Sequence, residues 1–305
     1  LLLLPFAPNF PVYVLAWVLI GVATASTLYD PAFTTLTRIF GMNARRPITL
    51  VTFAGGLAST ISWPVMHFLI EAGGWQLVYY AWAAVFVLVV APLHGFALPR
   101  HGVHPVHRPA DTAAKAEVAR TIPARGWPFF LMAAGFAGHA FVLSGTTTHL
   151  LTILQRGGID AGLAVTIGAL FGPSQVVTRF ADFISGGRLH AVWVARISMG
   201  TMVFAFALLV LVGITPLHAV LFAILFGAAN GVMTIARGAL PLSMFGPVGF
   251  GRVVGRISRP GLILQAAAPF VLAFAMDRWS DQAALEIMVV MVLLSLGCFA
   301  ALRRP

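Results

Sequence analysis

The chain has 305 residues, of which 59% are hydrophobic and 9% charged, with a mean hydropathy of +0.93. A soluble domain carries about 25% charged residues, so a soluble enzyme, a secreted disulfide scaffold and a disordered chain are excluded. The formal charge of +10 falls between long apolar runs, which assigns it to membrane topology rather than to nucleic acid, and the one cysteine, Cys298, rules out an internal disulfide and a cysteine metal cluster.

In chain order, Leu1 to Ala7 is too short to cross a bilayer, which takes about 20 apolar residues, and it lacks the charged start and cleavage site of a signal peptide. It reads as the tail of a helix whose beginning lies outside the chain. Apolar runs bounded by charge, Pro and Gly then predict spans at 11–33, 48–70, 75–98, 127–150, 161–184, 192–214, 217–242, 258–277 and 283–302. The runs Trp82 to Pro92 and Ile287 to Leu296 lack the alternation of a barrel strand. The fold class is therefore an all-α, polytopic helical bundle.

Counting membrane-edge arginines with the nearest loop, seventeen of the nineteen Lys and Arg fall on alternate loops, leaving Arg156 and Arg278 on the other side. Basic loops stay in the cytoplasm, so the C-terminus is expected to be cytoplasmic and the protein to lie in a plasma membrane, the inner membrane of a bacterium. Residues 99–126 form the expected cytoplasmic linker, separating three spans in 1–98 from six in 127–305. An offset of 205 residues superposes Pro11 on Pro216, Phe40 on Phe245, Gly41 on Gly246 and Pro64 on Pro269. The matched helices run the same way, so this reads as a parallel repeat, a plan used by secondary transporters. The offset also places about 80 residues, two helices and most of a third, ahead of Leu1.

Ionisable groups inside spans cost about 2.5–3.5 kcal/mol and usually face a cavity or a partner. Asp30, beside Tyr29, and Arg237, seven residues after Asn230, lie at similar depth on repeat-equivalent helices. They are candidates for a substrate or gating pair, or for residues that snorkel to the inner interface. His139 interrupts an apolar helix and could carry a proton or pack with a hydrogen bond. Gln175 and Gln265 are either substrate ligands or interhelical hydrogen bonds. Arg179 and Asp182, three apart on one helix face, suit a clamp on an inner gate with Arg188. Gly227 and Gly231 form a small-xxx-small pair suited to close helix packing. Gly249-Phe250-Gly251 has no preceding strand and reads as an inner loop, not a nucleotide fingerprint. His101, His104 and His107 read as solvated linker.

These features resemble the major facilitator superfamily of secondary transporters, from the end of its third helix to its twelfth. Asp182, Gly186, Gly187 and Arg188 stand in for the acidic-basic-glycine-basic loop signature, with Phe183 where the first basic residue is usual. Gly21 matches the glycine of the fourth helix, but Trp17 replaces its arginine, which departs from the usual route of proton coupling. Gly55, Gly56, Ser59 and Pro64 look like a loose glycine-proline kink of antiporters. The resemblance implies two six-helix halves, with helices 4–6 in 1–98 and helices 7–12 in 127–305. It places Asp30 and Arg237 on helices 4 and 10, which line the central cavity. It also implies alternating-access transport of a small solute with a coupling ion, by a monomer in the lipid bilayer, with no cofactor, metal, catalytic residue or nucleic-acid partner. The alternative is a membrane sensor or enzyme without transport. Such an enzyme should cluster carboxylates or histidines at one depth.

Overall fold

The computed structural model describes residues 1–97, 126–185 and 189–303. The linker histidines and Gly186, Gly187 and Arg188 lie outside the described residues. Among those described there are helices and turns, with no strand. The helices are α1 (Phe10–Thr27), α2 (Tyr29–Phe40), α3 (Arg45–Val85), α4 (Ala91–Ala97), α5 (Trp127–Arg156), α6 (Ala161–Ala169), α7 (Phe171–Ile184), α8 (Ala191–Ala207), α9 (Pro216–Phe245), α10 (Phe250–Arg278) and α11 (Asp281–Ala301).

Eight stretches among the described residues are long and apolar enough to cross a membrane, against nine expected. The difference lies in the first stretch, Phe10–Ala58, which is 49 residues long. At 1.5 Å per residue that is ~74 Å, more than twice the ~30 Å of a hydrocarbon core. It passes through the tight turn Gly41–Ala44, with Gly41 at φ 56°, so it contains one crossing and the start of the next. The next break falls at Gly73 and Gly74 inside α3, where the expected spans 48–70 and 75–98 divide. The chain is an integral, multi-pass membrane protein.

Proline sets two breaks that hydropathy does not show. The helices break at Leu28 and at Leu170, each three residues before a proline, Pro31 and Pro173. A proline cannot donate to the carbonyl four residues back, and its ring crowds that carbonyl. α9 has Ala236 in the position of Pro31 and runs unbroken through it. Other matched landmarks keep equivalent places. Pro11 and Pro216 open α1 and α9 behind Asn9 and Thr215, whose side chains cap the first turn. Gly41 and Gly246 end α2 and α9 at φ 56° and 75°, a region that favours glycine.

One expected boundary is corrected. α10 begins at Phe250, not near 258, and takes in Arg252, Arg256 and Arg259. Gly249 is its left-handed cap, and Phe250 and Gly251 are helical rather than loop. The arginines disguised the helix because its first two turns are amphipathic, with Phe250, Val253, Val254 and Ile257 buried on one side.

α5–α11, with α6 and α7 forming one span, pack into one group whose core includes Phe206, Phe222 and Phe226, with Phe222 and Phe226 stacked at 5.5 Å. Here Gly227 and Gly231 bring α9 against α7: an added Cβ would lie 2.8 Å from the carbonyl oxygens of Phe171 and Gln175 respectively. In α10, Pro269 leaves the carbonyl of Gln265 without its helical donor, and the Ser144 hydroxyl donates to it at 2.8 Å. Arg196 donates to the carbonyls of Phe299, Ala300 and Leu302 at the open end of α11. The helices of residues 1–97 bury far less, and most of their apolar side chains, such as Phe10, Phe68 and Leu88, face outward.

Candidate functional site

The three-helix group, residues 1–97, meets the six-helix group along the arginine-rich ends of the helices. Its α3 crosses α7 so that Thr49 faces Asp182, Thr52 faces Arg179, Phe53 stacks near Phe180 and Gly56 lies against Val176. Its α2 crosses α10, with Asp30 beside Ser258 and Thr34 beside Gly251. A small apolar cluster of Phe33, Ala44, Ile48, Leu242, Phe250 and Val254 seals this end. Gly238 allows a close approach there, where a Cβ would meet the Phe33 ring at 2.8 Å.

Behind that seal lies a cavity of about 340 Å³, at the small end of the ~300–1,000 Å³ usual for ligand sites. α5 contributes Phe136, His139 and Leu143; α7 contributes Gln175 and Arg179; α9 contributes Asn230, Met233, Thr234 and Arg237; and α10 contributes Ile257, Ser258 and Gln265. From residues 1–97 come Tyr29 and the glycine pair Gly55 and Gly56. The glycines have a steric reason, since a Cβ on Gly56 would lie 2.7 Å from Nη1 of Arg179, and Gly55 sits against the Tyr29 hydroxyl. Tyr29 itself stacks on Phe33 at 5.4 Å.

Asp30 and Arg237 meet. Arg237 Nη2 donates to Asp30 Oδ2 at 3.1 Å, and the Ser258 hydroxyl donates to the same oxygen at 2.9 Å. The proline break puts Asp30 in the first turn of α2, where a carboxylate also suits the free N–H groups of the helix start. Arg237, with its side chain 37% exposed, lines the cavity, whereas Asp30, at 28%, stands behind it and is not part of the lining.

Arg179 is only 4% exposed. Its Nε donates to the Gly231 carbonyl at 3.3 Å and its Nη1 to the Thr52 carbonyl at 2.8 Å. Its Nη2 donates to Gln175 Oε1 at 3.0 Å and to the Thr234 hydroxyl at 3.2 Å. It does not pair with Asp182, its neighbour on the helix. Asp182 instead lies 3.9 Å from Arg45 and accepts from Thr49 at 3.4 Å. Both residues therefore reach across to α3, one turn apart. Gln175 and Gln265 line the cavity, the first holding Arg179 and the second presenting its backbone carbonyl to Ser144. His139 and Asn230, at 9% and 7% exposure, also line it as neighbours on one wall.

Sequence reasoning missed Ser258, Thr234, Thr49, Thr52 and Arg45. Ser258 sat among arginines read as loop, although its spacing from Val254, Ile257 and Gly261 follows one helix face. The threonines carry no signal alone, because hydroxyls are common in apolar helices. Among the described residues no group of His, Cys, Asp or Glu could hold a metal ion.

Comparison with curated proteins finds no match. The family model described as Major Facilitator Superfamily matches residues 1–259, which takes in α1 to α9, the closed end and the start of α10. The chain belongs to the Major Facilitator Superfamily of membrane transporters.

Proposed function

We propose that the protein moves a small solute across the membrane by secondary active transport, and that the 340 Å³ cavity between the two helix groups is the solute site. The observation that carries this reading is the placement of polar groups. Tyr29, His139, Gln175, Arg179, Asn230 and Arg237 converge on one cavity whose floor is the contact between residues 1–97 and the six-helix group. Alternating access requires a floor of this kind to open and close while the six-helix core stays packed. Residues 1–97 act as the N-terminal transport unit and 127–305 as the C-terminal one. The closed end, rich in arginine, faces the cytoplasm by the positive-inside rule, so the cavity opens outward in this conformation. Asp30 and Arg237 couple solute binding to rearrangement. Arg179, Asp182, Arg45 and Thr49 hold the inner gate.

The test is flux in proteoliposomes with a gate that can be locked. In a Cys298→Ser background, Phe53→Cys and Phe180→Cys replace rings whose centroids are 5.7 Å apart. Oxidation should stop solute flux and reduction should restore it. Flux that continues with the pair fully cross-linked would show that this seam is not a gate.

A further inference from the structure

Arginine and carboxylate do not balance across the seam. Of the arginines at the seam, Arg237 and Arg45 engage the two carboxylates there, Asp30 and Asp182. Arg179, on the cavity wall, is left without one. Among the described residues no carboxylate lies within ion-pair distance of it, and its surroundings are neutral: the carbonyls of Gly231 and Thr52, the Gln175 amide, the Thr234 hydroxyl and the nearby Tyr29 hydroxyl. Hydrogen bonds to neutral acceptors satisfy its N–H groups but leave its charge uncompensated at 4% exposure, the situation in which a buried ion is most costly.

Its bonds also divide into two kinds. Nε and Nη1 are held by backbone carbonyls of α9 and α3, which fix the group in place. Nη2 is held by Gln175 and Thr234, two side chains that line the cavity and can rotate away. An incoming carboxylate could replace those two acceptors at one nitrogen without disturbing the anchors. Beside it, His139 and Asn230 are buried neighbours on the same cavity wall, and they add polar groups that a bound solute can reach. Phe136, Leu143, Met233 and Leu262 supply apolar wall.

Resting on the transport reading above, we infer that the solute is a small organic monoanion, a carboxylate on an apolar body, whose charge is received by the Nη2 edge of Arg179. One uncompensated cation matches one negative charge, and polyanions and cations are disfavoured.

The test is binding to the detergent-solubilised full-length protein, by calorimetry and ligand-induced thermal shift in nonionic detergent. The probes are hexanoate, benzoate and 4-hydroxybenzoate, their three amides, and benzylamine. At least one carboxylate should bind tenfold or more tightly than its amide, and benzylamine should not bind. Arg179→Gln should reduce that preference below threefold, whereas Arg179→Lys should retain most of it. If no carboxylate binds, if amide and carboxylate bind alike, or if Arg179→Gln keeps the tenfold preference, the inference is overturned. Should Arg179→Gln not fold, Leu143→Trp decides: loss of carboxylate binding by a folded variant supports the site, and unchanged binding overturns it. Flux separates the two readings. Selective binding of a carboxylate that is never transported removes the transport reading and leaves the anion site. Transport of a neutral or cationic solute without carboxylate preference does the reverse.

Discussion

Where α7 meets α9, inside the six-helix group, glycines at 227 and 231 press against backbone carbonyls, and an aromatic core stands beside them. Where α2 and α3 meet that same group, the contact is made of an ion pair at 3.1 Å, a looser one at 3.9 Å, single hydroxyl bonds, the buried Arg179 bond to the Thr52 carbonyl and one small apolar cluster. The first contact has no way to part without exposing backbone and leaving voids. In the second, most polar partners that separate can find water or solute instead, so parting costs less than in the first. The difference sets a permanent joint beside the one that moves in the transport reading proposed above. Glycine serves both, but at the α7–α9 contact Gly227 and Gly231 come against backbone carbonyls, whereas between groups Gly56 and Gly238 face side chains.

The contrast can be broken or sharpened by substitution. The largest effect is expected inside the group. Gly227→Val or Gly231→Val forces a Cβ to within 2.8 Å of a carbonyl oxygen, and overpacking of this sort costs ~1–3 kcal/mol or more. Size-exclusion profiles should show loss of folded, monodisperse protein. If both variants fold like wild type, the α7–α9 contact is not the rigid joint described.

Next come the charges. Asp30→Asn and Arg237→Gln should each abolish flux with near-normal expression, since each keeps much of the side-chain size. Both groups are partly exposed, so the stability cost should be only ~1 kcal/mol. The double neutral variant should recover that stability but not the flux, because neither charge is then left alone. Full flux in the double variant would make the pair purely structural, and full flux in both singles would remove it from the mechanism.

A smaller effect is expected at Gly238→Val, where the added atoms meet Phe33 and Ile48 rather than backbone. The protein should fold, and cross-linking of the Phe53→Cys, Phe180→Cys pair should slow about fivefold as the closed end loosens, on the order of 1 kcal/mol. Least of all, Arg156→Ala breaks an ion pair with Asp281 at the end away from the arginine-rich seam, where Arg156 is 51% exposed. Its unfolding free energy should change by no more than ~0.5 kcal/mol.

Much of this architecture is written in hydropathy and charge. Every expected span from 11–33 to 283–302 overlaps a helix, and the offset of 205 finds matched caps at Pro11 and Pro216 and at Gly41 and Gly246. What hydropathy hides is local. Pro31 and Pro173 break their helices three residues upstream of themselves, inside uninterrupted apolar runs. Arg252, Arg256 and Arg259 disguise a helix start because long basic side chains can sit on the solvent face of a helix whose other face is buried. The cavity was partly legible, because a charge or a histidine inside an apolar run is conspicuous: Asp30, His139, Arg179 and Arg237 could be named. The partners of those residues could not. Whether Asp182 turns to Arg179 or to Arg45 depends on how α3 crosses α7, and nothing in the spacing of either helix encodes that crossing.

The claim that the joint between the groups moves is tested most directly by distances measured at its two ends. Spin-label pairs at exposed positions Phe40 and Val248, on the closed end, and at Phe10 and Leu217, on the opposite end, can be followed by double electron–electron resonance in lipid nanodiscs. Alternating access predicts two populations at each end, with one end shortening as the other lengthens when solute or pH shifts the balance. A single distance at both ends, unchanged by any solute or pH, would contradict it.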